Sequence, residues 1–136
     1  MNIITYEDIY RDMVTFNSQL SVNYGNVVRQ NETTKTTYPY TIIEEIRNTE
    51  DPSYNTMFDK ISILGYKITV MAKTKGQITG QKIARHLSAQ FDDYMQNYVG
   101  VKRTSFLPYK DGDDNSIYAL QTIYTGNLHE NRRKFL

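Results

Sequence analysis

The sequence predicts an α+β domain with two helices packed on one face of a mostly antiparallel, four- to five-stranded sheet. Two segments repeat apolar residues at spacings of three and four, the periodicity of an amphipathic helix. The other apolar segments are short, rich in β-branched and aromatic residues, and bounded by turn formers, which indicates strands. The chain order is helix, weak strand, two strands, helix, two strands. A length of 136 residues suits a single domain, residues 1–136, with a flexible tail from about residue 127.

Each helix is predicted from one apolar stripe. The first lies in TYEDIYRDMVTFNSQL, and its stripe consists of Tyr6, Ile9, Tyr10, Met13, Phe16 and Leu20. The second runs from about Gly80 to Val99, with Thr79 as N-cap and Gly100 directly after its last turn. Its stripe consists of Ile83, Leu87, Phe91, Tyr94, Met95 and Tyr98.

The first half of the sheet is predicted from three segments. SVNYGNVVRQ indicates a weak strand with a turn or bulge at Gly25, and the polar NETTKTT that follows indicates an exposed loop or hairpin tip. YPYTIIEEI indicates a strand, because its apolar residues share one parity: Tyr38, Tyr40, Ile42 and Ile46. Pro39 lacks a backbone donor, so it marks the start of a strand or an edge.

The longest strand signal is FDKISILGYKITVMAK. Its even positions from Leu64 to Ala72 are apolar, and its odd positions are small or polar except for Met71, so one face is predicted to be core and the other solvated. The apolar parity reverses before Leu64, which predicts a bulge near Gly65. VKRTSFLPY and SIYALQTIYTG indicate two further strands joined by the hairpin loop KDGDDN.

Composition excludes several broad classes of function. The net charge is +1, from 16 basic and 15 acidic residues, so no bulk field points to nucleic acid or a membrane surface. There is no cysteine and hence no disulfide. No apolar run approaches the roughly 20 residues of a membrane span, and the N-terminus does not resemble a signal peptide. We therefore expect the protein to be made and kept in the cytosol of its producer, without membrane contact.

The loop between Gly76 and Gly80 is a candidate phosphate-binding loop, because it contains glycines and joins a predicted strand to a predicted helix. A P-loop needs four residues between its glycines, then Lys and a hydroxyl residue. Here three residues separate the glycines, Gln81 precedes Lys82, and Ile83 occupies the hydroxyl position. We expect Gly76 only to turn the chain and Gly80 to open the helix, with no nucleotide bound.

The remaining polar groups predict no metal or catalytic site. DGDDNS matches three EF-hand positions but has Ser116 in place of the required Gly and Thr122 in place of the bidentate Glu, so it predicts a solvated hairpin tip. His86 and His129 lie far apart in sequence, without further ligands at metal spacing. Glu44 and Glu45 are neighbours in a strand and point to opposite faces. The sequence therefore predicts a protein that is not an enzyme, has no cofactor, and works by binding other proteins.

Four segments in order carry a family resemblance. YPYTIIEEIRNTED has an aromatic-Pro-Tyr run before apolar β residues, and LGYKITVMAK alternates apolar and polar residues up to its final A-K. The helix GQKIARHLSAQFDDYM and the closing IYALQTIYTGNLHENRRKF follow. Over nearly its whole length the chain resembles the tail terminator (tail completion) proteins of long-tailed bacteriophages, with Pro39 and Tyr40 as the most specific match.

The resemblance implies a structural role in the virion, at the neck. Six copies would form a hexameric ring on the head-proximal end of the tail tube, stop its growth and dock to the head–tail connector protein. Genomic DNA would pass through the lumen without specific binding, which the near-neutral charge suits. The family has no catalytic residues to transfer. Candidate contacts with a neighbouring copy or virion partner are the polar and tail residues Asn31, Glu32, Lys35, Asp111, Asp113, Asp114, Arg132, Arg133 and Phe135.

Two other functions are also compatible with the sequence. A head–tail joining or head-completion protein of the connector would share the size, the ring and the lack of a catalytic site. A small enzyme or ligand-binding domain is the alternative from a different class. Ring assembly on tail tubes separates the first two from the third, and the identity of the bound partner separates the first two from each other.

Overall fold

The computed structural model describes residues 6–30, 38–50, 61–74, 76–109, 117–129 and 134–135. These residues confirm the α+β class and the predicted order of elements. The elements are α1 (Tyr6–Gln19), β1 (Val27–Gln30), β2 (Tyr40–Glu50), β3 (Ile61–Lys73), α2 (Gly80–Asp93) with a π-helical continuation (Tyr94–Val99), β4 (Lys102–Tyr109), β5 (Ile117–His129) and β6 (Lys134–Phe135).

The strands form one mixed sheet in the order β1-β2-β3-β5-β4, with β6 beside the end of β5. All neighbours pair antiparallel except β1 and β2, which are parallel. Parallel strands cannot be joined by a tight hairpin. The prediction of a hairpin tip in NETTKTT is therefore wrong for the link between β1 and β2. Residues 31–37 themselves lie outside the described residues. Pro39 directly precedes β2, as predicted for a strand start.

The main core lies between the helices and the even-numbered face of β3. Tyr66, Ile68 and Val70 are at most 2% exposed, and α2 covers them with Ile83, Leu87 and Phe91, each 0% exposed. α1 adds Ile9 and Met13 from its predicted stripe. The assignment of the core face of β3 and of the central stripe of α2 is thus confirmed.

The other face of the sheet is less polar than predicted. A second small apolar cluster lies there, formed by Tyr40, Ile42, Met71 and Ala119. The Tyr40 hydroxyl donates to the Met71 sulfur at 2.8 Å. Ile46, which the parity rule placed with Tyr40 and Ile42, is 47% exposed. The reason is a register shift between Glu45 and Arg47, which breaks the alternation after Glu45.

This register shift is the bulge that the sequence placed near Gly65, but it lies on β2 and not on β3. β3 pairs with β5 without interruption from Ile61 to Lys73. The irregularity on β2 brings the chain close to Gly65: a Cβ added there would meet the Arg47 Cβ at 3.0 Å and the Ile46 Cγ1 at 3.2 Å. Gly65 is therefore needed for the close approach of the bulged strand.

We expect Gly65→Val to lower the free energy of unfolding by about 1–3 kcal/mol, because the added atoms overpack the bulge. Urea unfolding of the two proteins measures the difference. Thr69→Val, on the same face of β3, serves as a control because it adds no backbone crowding. Equal stability of Gly65→Val and the parent would contradict the close approach.

Both ends of the second helix match the prediction. The Thr79 hydroxyl oxygen accepts from the Lys82 amide at 3.2 Å, as an N-cap does. At the other end Gly100 adopts a left-handed φ of 93°. The turns from Tyr94 onward are π-helical, and the Gly100 amide donates to the Met95 carbonyl at 2.9 Å.

A buried polar network ties α1 to the sheet. The Asn17 side-chain amide donates to the Asn26 carbonyl at 2.9 Å, and the Asn26 side-chain amide donates to the Asn17 side-chain oxygen at 2.9 Å. The Thr41 hydroxyl then donates to the Asn26 side-chain oxygen at 3.0 Å. The turn before β1 has positive φ at Tyr24 (57°) and Gly25 (80°), which confirms the predicted turn.

The described residues at the C-terminal end lie in strands, and the flexible tail expected from about residue 127 stays a prediction. β5 continues to His129, and its last residues pair with β3 at Ile61 and Ser62. Lys134 and Phe135 then form the short strand β6 beside Leu128 and His129. Backbone pairing therefore connects residues 127–129 and 134–135 to the sheet.

Candidate interaction surfaces

Most of the predicted partner contacts lie outside the described residues. This applies to Asn31, Glu32 and Lys35 in one segment, and to Asp111, Asp113 and Asp114 in another. Arg132 and Arg133 are outside as well. For Phe135 only the backbone is described: it lies in β6, opposite Leu128 of β5. These residues stay predictions, and the candidate surfaces below come from other parts of the chain.

The loop before α2 has the geometry of a chain turn. Gly76 has a φ of 63°, which a turn requires, and Gly80 is the first residue of α2. Two amide groups at the start of α2 are already used: the Thr74 hydroxyl oxygen accepts from the Gly80 amide at 3.1 Å, and the Thr79 hydroxyl oxygen accepts from the Lys82 amide. Thus the N-terminus of α2 is capped from within the chain.

The histidines and glutamates have structural surroundings. His86 is exposed on α2, where its ring makes an edge contact with Tyr24 at 5.7 Å between centroids and a 2.8 Å contact with the Gln90 side chain. Glu44 pairs with Lys67 at 3.6 Å, and Glu45 follows it on the opposite face of β2. Within the described ranges, no three His, Cys, Asp or Glu residues come close enough to hold a metal ion.

Strand β4 is the first candidate surface. In the described part of the sheet it pairs with β5 alone, and its residues from Lys102 to Pro108 are all exposed. Two of them are large and apolar: Phe106 is 39% and Leu107 is 56% exposed. The other end of the sheet is β1, where Val27 is 40% exposed. An edge with unpaired backbone groups and exposed apolar side chains is a template for pairing with another chain.

A polar cluster supports β4 from the helix side. Asp92 at the end of α2 accepts from the buried Tyr124 hydroxyl at 2.9 Å and from Gln96 at 2.9 Å, and pairs with Arg103 at 3.4 Å. The Arg103 guanidinium lies 5.4 Å from the centre of the Phe106 ring. This cluster fixes the position of β4 relative to α2. Its residues Asp92, Arg103 and Phe106 also line a small cleft of about 250 Å³.

The second candidate surface is a groove between α1 and the π-helical segment. Three rings stack along it: Phe16 and Tyr94 have centroids 4.9 Å apart, and Tyr94 and Tyr98 have centroids 5.6 Å apart. Tyr94 is 6% exposed, whereas Tyr98 is 82% exposed. The groove has a volume of about 440 Å³ and is lined by Asp12, Thr15, Phe16, Gln19, Asp93, Tyr94, Asn97 and Tyr98. We call it the aromatic groove.

Two tyrosines in these surfaces have shifted acidity. Burial raises the pKa of the Tyr94 hydroxyl well above its usual value of about 10, and the negative charge of Asp12 adds to the effect. Burial also raises the pKa of the Tyr124 hydroxyl, and its hydrogen bond to Asp92 raises it further. Both phenols therefore keep their protons in the folded chain to a higher pH than a free tyrosine does.

Sequence reasoning assigned Tyr98 to the apolar stripe of the second helix, and this assignment is wrong. The stripe assumes 3.6 residues per turn throughout, but the helix is π-helical from Tyr94 onward. The change in spacing leaves Tyr98 outside the core. A signal was present in the sequence: Tyr94 and Tyr98 are four residues apart, close enough to stack along a helix.

Comparison with known proteins yields no match to any family model and no significant match to a curated protein. Across the ranges that the structure describes, no helix is long and apolar enough to cross a membrane.

Proposed function

We propose that the chain is a tail terminator of a long-tailed bacteriophage. In this role it forms a hexameric ring at the head-proximal end of the tail tube, stops tube growth and docks to the head–tail connector. The observation that carries the proposal is the pair of unlike sheet edges, β1 with one exposed large apolar residue and β4 with two. The resemblance of the sequence to tail terminators supports the assignment.

A ring needs two different surfaces on each subunit that fit one another. The two ends of the sheet provide such a pair: β1 presents Val27, and β4 presents Phe106 and Leu107. Because β1 and β4 lie at opposite ends of the strand order, contact between them joins subunits head to tail. When the rotation between neighbours closes, repetition of this contact forms a ring with two unlike axial faces, one for the tube and one for the connector.

In this role the protein lies at the neck of the virion, after synthesis in the host cytoplasm. Genomic DNA passes through the lumen of the ring without specific binding, and a chain of net charge +1 does not retain it by phosphate contacts. The free protein can remain monomeric until the end of the tail tube offers a template. A ring seen only on tubes is therefore consistent with the proposal.

The proposal predicts that tails made without this protein vary in length and fail to join heads. Electron microscopy of lysates from a phage that lacks the gene measures both properties. Complementation with Leu107→Lys should leave the defect, because a charge on the edge of β4 opposes pairing with a neighbour. Val22→Lys is the matched control, since Val22 is 47% exposed and lies outside the strands; it should restore normal tails.

Two outcomes would contradict the proposal. Tails of uniform length that attach to heads without the protein would exclude a terminator. Tails of uniform length that fail only at head attachment, together with binding of the purified protein to connectors and not to tubes, would identify a head–tail joining protein.

A further inference from the structure

The aromatic groove has an open end that the fold does not use. Phe16, Tyr94 and Tyr98 form a continuous stack, with an angle of 28° between the first two rings and 17° between the last two. Only the last ring, Tyr98, is largely exposed, at 82%. Burying an aromatic ring against a partner stabilises a complex, and exposed tyrosines held in fixed positions are frequent anchors of interfaces.

The charged groups that line the groove have one sign. Asp12 and Asp93 contribute carboxylates, and none of its lining residues in the described part of the chain is basic. Arg11 approaches Asp12 from outside the groove, at 3.6 Å, with 70% of its side chain exposed. Asp93 accepts a hydrogen bond from the Asn97 side chain. The groove thus combines an open aromatic face with negative charge.

We propose that the aromatic groove binds an arginine side chain of a partner protein. A guanidinium group is planar, so it can lie flat on the exposed face of Tyr98 and extend the stack of rings. The carboxylates of Asp12 and Asp93, which line the same groove, attract the positive charge of the guanidinium. The partner therefore presents an arginine in an exposed segment, and this binding is separate from the edge contacts of the proposed ring.

The volume of the groove and the π-helical segment that forms one of its walls agree with a bound arginine side chain. Its volume of about 440 Å³ exceeds one arginine side chain, so flanking residues of the partner segment also fit. The wall that carries Tyr94, Asn97 and Tyr98 is the π-helical segment. Such segments are rare and are frequently found at functional sites. Asn97 holds Asp93 in place, so the carboxylate is oriented before the partner binds.

The test is an NMR titration of the isotope-labelled full chain with the peptide Ac-GSRGS-NH2. We expect saturable shifts of amide signals at Asp12, Tyr94 and Tyr98. The same peptide with citrulline in place of arginine, which has the same shape without the charge, should give no such shifts. Tyr98→Ala should weaken binding by about two- to fivefold, the range of an exposed cation–π contact, and Asp93→Asn by up to about fivefold, the range of an exposed ion pair. Glu45→Gln, at an exposed carboxylate outside the groove, should bind as the parent does.

Several results would overturn the proposal. These are the absence of saturable shifts, an equal response to the citrulline peptide, or shifts centred outside the groove. Shifts at Tyr98 that depend on protein concentration alone would show that a second copy fills the groove instead. The titration uses the free protein and does not need a ring, so a negative result leaves the tail-terminator proposal standing, and a failure of that proposal leaves this one standing.

Discussion

Replacing Phe91 by alanine is expected to lower the free energy of unfolding by about 3–5 kcal/mol. Phe91 is 0% exposed on α2 and packs in the main core, with its ring centroid 5.9 Å from that of Phe16 on α1. The substitution removes contacts with both the sheet and α1, and leaves a cavity that the surrounding elements cannot fully close. Domains are typically stable by about 5–15 kcal/mol, so the loss is a large share of the total.

Urea unfolding followed by circular dichroism measures this loss, with Tyr98→Ala as the control. Tyr98 lies on the same continuous helix but is 82% exposed, so its replacement should change stability by less than about 0.5 kcal/mol. A midpoint for Phe91→Ala that matches the parent would place Phe91 on the surface and contradict the packing of α2 described above.

The second helix could be predicted from the sequence almost completely. Ile83, Leu87 and Phe91 are placed by local periodicity, and they are buried as expected. Thr79 and Gly100 mark its ends because capping depends on the residue and its immediate neighbours. Signals of this kind are local, so one sequence contains them.

The pairing of strands depends on distant residues, and there the prediction was less complete. The parallel direction of β1 and β2 leaves no local mark in VVRQ or YTIIEE. The bulge was predicted at the correct level of the sheet, because Gly65 is a local signal. It was assigned to the wrong strand, since the extra residue lies in β2 near Ile46. Parity within one strand does not show which of two paired strands contains the irregularity.

The candidate surfaces were predicted least well, for a related reason. The polar loops and the tail were chosen as contacts because they lacked an apolar pattern. The aromatic groove instead arises where Phe16 of α1 meets Tyr94 and Tyr98 of the π-helical segment, far away in sequence. Its three aromatic residues were all assigned to the apolar stripes of the two helices. The periodicity of a helix shows which of its apolar residues share a face. It does not show how far the neighbouring element covers that face.

Raising the pH from 10 to 12 is expected to destabilise the protein strongly, through two buried tyrosines. Tyr94 is 6% and Tyr124 is 1% exposed, and burial raises the pKa of both phenols above the value of about 10 that they have when unfolded. Above pH 10 the unfolded chain loses these protons while the folded chain retains them. The unfolded state then binds fewer protons, so the free energy of unfolding falls as the pH rises.

The expected slope is about 1.4 kcal/mol per pH unit for each tyrosine, and the contribution of both groups is fully present below pH 10. Urea unfolding at intervals between pH 9 and pH 12 measures it. Tyr124→Phe removes one of the two ionisations, together with the 2.9 Å hydrogen bond to Asp92. This variant should be less stable at neutral pH by about 1 kcal/mol but should lose stability above pH 10 with a smaller slope.

The change in slope separates the ionisation of Tyr124 from its packing, because loss of the hydrogen bond lowers stability equally across this pH range. Tyr94→Phe should reduce the slope in the same way, and the double variant should reduce it most. A slope in Tyr124→Phe that equals that of the parent would show that the Tyr124 phenol ionises alike in the folded and unfolded chain. The hydroxyl would then be accessible to solvent, and the contact with Asp92 that supports β4 would not hold it in the core.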